Sequence, residues 1–170
     1  PAVAFSTAIS SMAGQNIGAG FYDRAKQTLF AGIKALLPLV TVIFIFVFIF
    51  SEQIIGLFTT NPEVAKIGVD YLRLSSLEYF VLSVLFCVGG LITGAGFPMI
   101  SLINTSISSF ILRIPLAYLL SSFMGLNGVA LSISIAPIGA LIFAGAFIMS
   151  GKWKQRRIVE SEPAIETANF

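Results

Sequence analysis

Glu78 and Arg113 are ionisable side chains set deep inside runs of apolar residues. A charge at the middle of a bilayer costs at least about 2.5–3.5 kcal/mol, so each needs a partner or a task. At 1.5 Å of rise per residue, Glu78 lies roughly 11 Å below the outer end of its predicted helix. Arg113 lies roughly 13 Å below the outer end of the next, antiparallel helix. The matched depths predict that the two face each other or a shared water-filled cavity. One reading is a proton- or cation-coupling carboxylate tuned by an arginine; the plainer one is a static ion pair. On the helix of Arg113, Ser101, Asn104, Thr105, Ser108 and Ser109 recur at spacings of three and four, largely on one face. Such a stripe, with Asn104 and Ser108 in it, either lines a solute cavity or hydrogen-bonds neighbouring helices.

Other chemistry is poorly provided for. The 170 residues contain no histidine, and Cys87 is the one cysteine. Metal centres, haem sites and Ser-His-Asp catalysis therefore lose their usual ligand and base. The reading is a protein that is not an enzyme, with no catalytic residue, no metal site and no cofactor. Gly89-Gly90 with Gly94-Ala95-Gly96 has the glycine content of a nucleotide loop, but it follows an apolar helix instead of a strand. Asn104-Thr105-Ser106 matches a glycosylation sequon inside a predicted span. Cys87 reads as a small apolar side chain.

The elements that must position these residues are membrane helices. The chain is 56% hydrophobic and 11% charged, with a mean hydropathy of +0.95, whereas a soluble domain carries about 25% charge. A net charge of +2 gives no reason to expect nucleic acid. The fold class is an all-α integral membrane protein with about five transmembrane helices. The first helix ends near residue 17, short of the roughly 20 residues a span needs. The chain opens on Pro1 inside that apolar segment, and the expectation is the C-terminal part of a longer protein. Gly14, Gln15, Asn16, Gly18 and Gly20 form a turn from which a second helix starts near Arg24, with Asp23 at its N-terminus. That helix runs to Phe50 through Pro38, which should kink it. Asn61-Pro62-Glu63 is a strong start for a third helix, which ends in glycines at 94 and 96. A fourth runs from Pro98 to about Ser122. Gly125 to Gly128 is a tight turn, and a fifth helix reaches about Ser150. On it, Gly128, Ser132, Ala136, Ala140 and Ala144 repeat every four residues, a packing stripe.

Residues 1–151 thus form the membrane part, and 152–170 a basic, then acidic tail. Arg24, Lys26, Lys34, Lys152, Lys154, Arg156 and Arg157 gather on one side, and Lys66 and Arg73 on the other. Basic residues favour the cytoplasmic face. The expectation is a multi-pass protein of the cell (inner) membrane with a cytoplasmic C-terminus. Trp153 reads as an interfacial anchor.

Gly14-Gln15-Asn16-Ile17-Gly18-Ala19-Gly20-Phe21-Tyr22-Asp23-Arg24-Ala25-Lys26 resembles the signature turn of the multidrug and toxic compound extrusion (MATE) transporters. Phe58-Thr59-Thr60-Asn61-Pro62-Glu63-Val64, Arg113-Ile114-Pro115-Leu116-Ala117-Tyr118 and Gly125-Leu126-Asn127-Gly128-Val129 resemble later segments of that family, in the same order. The resemblance implies helices eight to twelve of a twelve-helix, two-lobed bundle, with the first seven, including the N-terminal lobe, as the missing partner. It implies export of an organic cation or drug-like substrate driven by Na⁺ or H⁺ as coupling ion. A lipid-linked saccharide flippase of the same superfamily and a non-transporting scaffold or remnant are the alternatives. One departure stands out: Gly96 runs straight into Phe97-Pro98-Met99, where the family pattern has three more residues.

Overall fold

The computed structural model describes residues 1–154. Among these, eight α-helices follow one another: α1 (Ala2–Gly18), α2 (Tyr22–Ile49), α3 (Ser51–Gly56), α4 (Pro62–Ser75), α5 (Glu78–Gly94), α6 (Pro98–Ser106), α7 (Arg113–Met124) and α8 (Leu126–Met149). A π-helical segment, Ile107–Leu112, joins α6 to α7, and a 3₁₀ turn, Lys152–Lys154, follows α8. Four helical stretches are long and apolar enough to cross a membrane: Tyr22–Ile49, Pro62–Gly94, Pro98–Met124 and Leu126–Met149. With its 17 residues, α1 falls just short of that length, in keeping with the expectation from sequence. The fold is that of an all-α, multi-pass membrane protein.

The bundle is knit by small residues. A side chain on Gly90 would come within 2.5 Å of the Ser6 carbonyl oxygen, and one on Gly94 within 2.4 Å of the Ser10 oxygen. Gly14 in turn sits against the Gly94 carbonyl. Ser6, Ser10 and Gly14 are spaced by four, as are Gly90 and Gly94, so the backbones of α1 and α5 meet along matched seams. The stripe on α8 does the same work: Gly128, Ser132, Ala136, Ala140 and Ala144 are all buried. Gly128 lies directly on the Leu120 carbonyl. By contrast, large apolar side chains of α2 such as Val42, Phe46 and Ile49 face outward, where lipid is their natural solvent.

One end of the bundle is closed by two copies of one turn. Gly18-Ala19-Gly20-Phe21 and Gly94-Ala95-Gly96-Phe97 share the sequence Gly-Ala-Gly-Phe. Both place the second glycine in the left-handed region, with φ of 81° at Gly20 and 86° at Gly96. The amides of Phe21 and Phe97 reach back to the Asn16 and Ile92 carbonyls at 2.7 and 3.1 Å. The amides of Gly20 and Gly96 reach the Ile17 and Thr93 carbonyls, each at 3.0 Å. This is the helix-ending pattern that satisfies two orphan carbonyls at once. The second turn thus closes fully without the three residues that the family pattern adds, and Pro98 opens α6 immediately.

Some local expectations shift. Gly14 is helical and packs against α5, so of the glycines in the signature stretch only Gly20 turns the chain. The α2 helix starts at Tyr22, and Asp23 lies in its first turn without a capping bond. Asn16 bonds back to the Met12 carbonyl at 2.7 Å, and Gln15 is exposed. Helix α2 continues through Pro38. Asn61 does cap α4, its Oδ1 accepting from the amides of Glu63 at 3.0 Å and Val64 at 3.5 Å. The Gly125–Gly128 turn is shorter than read: Gly125 alone breaks the chain, at φ 58°. Trp153 is fully buried, because its Nε1 donates to the Ile148 carbonyl at 2.9 Å and its ring meets Tyr22 edge-on at 6.0 Å. It latches the end of α8 to the first turn. Arg156, Arg157 and the acidic tail lie outside the described residues.

The packing makes a direct prediction. Gly94→Ala should lower stability by about 1–3 kcal/mol, the usual range for overpacking, while Gly145→Ala, which meets nothing within 4 Å, should be neutral or stabilising. Thermal unfolding in detergent, followed by circular dichroism, orders the two; equal midpoints would contradict the α1–α5 seam.

Candidate functional site

Each member of the ion pair stands just after an interruption in its helix. The stretch from Pro62 to Gly94 is broken between Ser75 and Glu78. Serine hydroxyls take three consecutive carbonyls there. Ser75 donates to Leu72 at 3.3 Å, Ser76 to Arg73 at 2.7 Å, and Ser134, from α8, to Leu74 at 2.9 Å. These are carbonyls of the last turn of α4, where backbone partners run out; that of Leu72 also accepts from the Ser76 amide at 3.0 Å. Glu78 follows in the first turn of α5, where the helix dipole favours a carboxylate. Arg113 opens α7 directly after the π-helical segment. Pro115, two residues on, lacks the N–H that would bond the Ile111 carbonyl, which disfavours regular α-helix in this stretch. Leu112 tucks onto Gly139 of α8, so close that a Cβ at 139 would meet its Cδ1.

Glu78 and Arg113 meet as their depths predicted. Arg113 Nη2 donates to Glu78 Oε1 at 2.6 Å, a short, charge-assisted contact. The Glu78 side chain is 15% exposed and that of Arg113 is 36% exposed. Arg113 Nε is buried and has no hydrogen-bond partner among the described residues, so the guanidinium keeps a donor in reserve.

The polar stripe divides. Asn104 and Ser108 turn inward and are 3% and 5% exposed. Ser101 and Thr105 instead line an open cleft of about 160 Å³ with Ser6, Phe86 and Gly89, between α1, α5 and α6. Asn104 Oδ1 is buried without a partner among the described residues, a costly state inside a span. Asn104 precedes Arg113 by about nine residues, or roughly 13 Å along the helix. The four candidate side chains are therefore two separate features: an ion pair between α5 and α7, and a buried amide on α6 with a buried hydroxyl in the π-helical segment that follows it. Gly14, Gln15, Asn16 and Gly18, in the last turns of α1, and Gly20, in the α1–α2 turn, lie apart from both.

Sequence reading missed the two helix interruptions. The pair Ser75-Ser76 was a usable signal for the first, since serine hydroxyls compete for helix carbonyls, and Pro115 for the second. It also missed a clamp at the α3–α4 end of the bundle, in which Arg73 Nε donates to the buried Ser51 Oγ at 2.8 Å while its Nη2 pairs with Glu52 at 3.4 Å. This clamp holds the short α3 against α4.

A family model described as MatE matches residues 1–119. The chain is 31% identical over 158 residues to a probable multidrug resistance protein, YpnP, of Bacillus subtilis, covering 93% of this chain and 36% of that protein. It is 30% identical over 167 residues to a probable multidrug resistance protein, NorM, of Thermotoga maritima, covering 95% and 35%. It is 29% identical over 136 residues to a protein of Shewanella oneidensis named as an FAD transporter, covering 80% and 30%. The chain spans about a third of the length of these curated relatives. Its fold matches an inward-facing multidrug resistance MATE family transporter of the MOP superfamily with a TM-score of 0.79, covering 89% of this chain and 36% of that one. At 19% identity, that likeness is one of fold.

If the ion pair holds α5 to α7, Arg113→Leu should destabilise the protein more than Glu78→Gln and Arg113→Leu together, since the single change leaves a buried carboxylate alone. A double-mutant cycle read from thermal unfolding should give a coupling of about 1–3 kcal/mol; strict additivity would mean the two side chains do not interact.

Proposed function

This chain belongs to the MATE family of membrane transporters, and from that premise we propose that residues 1–151 are the C-terminal lobe of an antiporter, helices eight to twelve of its bundle. Its task is export of organic cations or drug-like solutes across the cell membrane, driven by Na⁺ or H⁺. Five membrane helices supply one wall of a cavity between two lobes, so transport needs the rest of the protein as partner. The names of the relatives support the substrate class: two of them are named as probable multidrug resistance proteins. One is named as an FAD transporter, which makes a large anionic solute a second class to test.

The observation that carries the reading is the Glu78–Arg113 pair. A carboxylate sequestered among apolar helices can hold either a guanidinium or a small cation, but not both with full strength. A proton or Na⁺ arriving at Glu78 weakens its hold on Arg113 and frees the guanidinium for water or solute. Because each partner stands beside a helix interruption, the exchange bears on two places where the backbone bends most readily. That is how a local charge change would bias one lobe against the other. Asn104 Oδ1 and Arg113 Nε, both buried and unpartnered among the described residues, add polar groups that a solute or the other lobe would satisfy. Arg24, Lys26, Lys34, Lys152 and Lys154 against Lys66 and Arg73 support a cytoplasmic face at the glycine turns and hence a cytoplasmic C-terminus. With a static ion pair, the same fold would serve as a non-transporting scaffold; a saccharide flippase would move a lipid-linked sugar in place of an organic cation.

The test is efflux by the full-length protein in efflux-deficient cells, with the Na⁺ and H⁺ gradients collapsed separately. A fluorescent organic cation should leave the cells only while one gradient stands, and that gradient names the coupling ion. Glu78→Gln should slow efflux at least about tenfold, the scale of a lost charge-assisted contact, and flatten its pH profile. An unchanged rate and profile would assign the pair a structural role alone.

A further inference from the structure

The end of the bundle closed by the glycine turns carries a second organised cluster, away from the ion pair. Arg24 places its guanidinium 4.7 Å from the centre of the Phe21 ring, and Lys154 places Nζ 5.7 Å from that of Trp153. The two cation–ring pairs are joined by the edge-on contact of Trp153 with Tyr22 at 6.0 Å. Trp153 is itself immobilised by complete burial and by its bond to the Ile148 carbonyl. Lys26 and Lys152 lie beside these pairs in the sequence, and Asp23 is the one acid in these segments among the described residues. None of the four cations forms an ion pair among the described residues. The opposite end differs: there Arg73 is neutralised by Glu52, and Glu63 and Asp70 outnumber Lys66.

We propose that this platform is a binding site for the headgroup of an anionic phospholipid. Four cations with one acid attract a phosphodiester, and an interfacial polybasic patch gains affinity from each of its charges. Two of the cations are held over aromatic faces, so less side-chain freedom is lost on binding than for loose lysines. The exposed Phe21 ring offers the adjoining acyl chain an apolar contact. Because the platform bridges the α1–α2 turn and the end of α8, a bound headgroup ties the first and last of the described spans together. The site does not depend on the proposed transport cycle.

Full-length protein in detergent, titrated with phosphatidylglycerol or phosphatidylcholine of matched acyl chains and read by native mass spectrometry, tests this. Phosphatidylglycerol should be retained in preference. Arg24→Gln with Lys154→Gln should weaken its retention roughly thirtyfold, a factor of about five per charge, and leave phosphatidylcholine unaffected. Phe21→Leu keeps every charge but removes one ring, and should cost roughly two- to fivefold. Lys66→Gln, at the other end, should change nothing. Equal retention of both lipids, full retention by the paired Gln variant, or displacement by inorganic phosphate at comparable concentration would each overturn the assignment.

Discussion

The contact on which the molecule depends is the meeting of two backbones, α1 on α5. Inside a bilayer, burying apolar surface gives helices little reason to associate, because lipid is as apolar as leucine. Association must come from close packing, and Gly90 and Gly94 provide it by letting the carbonyls of Ser6 and Ser10 occupy the space of a side chain. Each glycine weakens its own helix by roughly 1 kcal/mol, and the seam recovers this through dispersion and short Cα–H···O contacts. With α5 fixed to α1 at one end, the position of Glu78 near the other end follows from the length of a rigid rod. The ion pair is thus the far end of a lever whose near end is glycine.

Much of this was legible in residue types. Proline and glycine mark the ends of nearly every helix, because they act on the backbone locally and need no partner. The pairing of Glu78 with Arg113 followed from depth alone, since helices in a bilayer share a common axis. Asn61 capped the helix it was expected to cap, and the every-fourth-residue stripe of α8 was buried as a packing surface should be.

What escaped depended on partners distant in sequence. The break before Glu78 uses Ser134, 60 residues beyond Leu74, and Trp153 joins a core that includes residues of the first helices, meeting Tyr22 at the first turn. The stripe that runs from α6 into the π-helical segment has one pattern but two fates: Asn104 and Ser108 are buried, while Thr105 lines an open cleft. A helical wheel cannot distinguish these, because it contains no neighbours. The repeated Gly-Ala-Gly-Phe was visible throughout. Its meaning, one turn used twice to reverse two helices at the same face, required seeing that the two copies lie at the same end.

The ion pair also constrains how the protein is made. Glu78 leaves the ribosome 35 residues ahead of Arg113, so for a time the translocon holds a span with an unanswered carboxylate. The stretch that follows, Pro98–Met124, has the lowest hydropathy of the four long spans and is almost wholly unburied by its neighbours; it brings a guanidinium of its own. Side by side the two spans answer each other's charge, and the tight Gly96 turn that joins them adds no length.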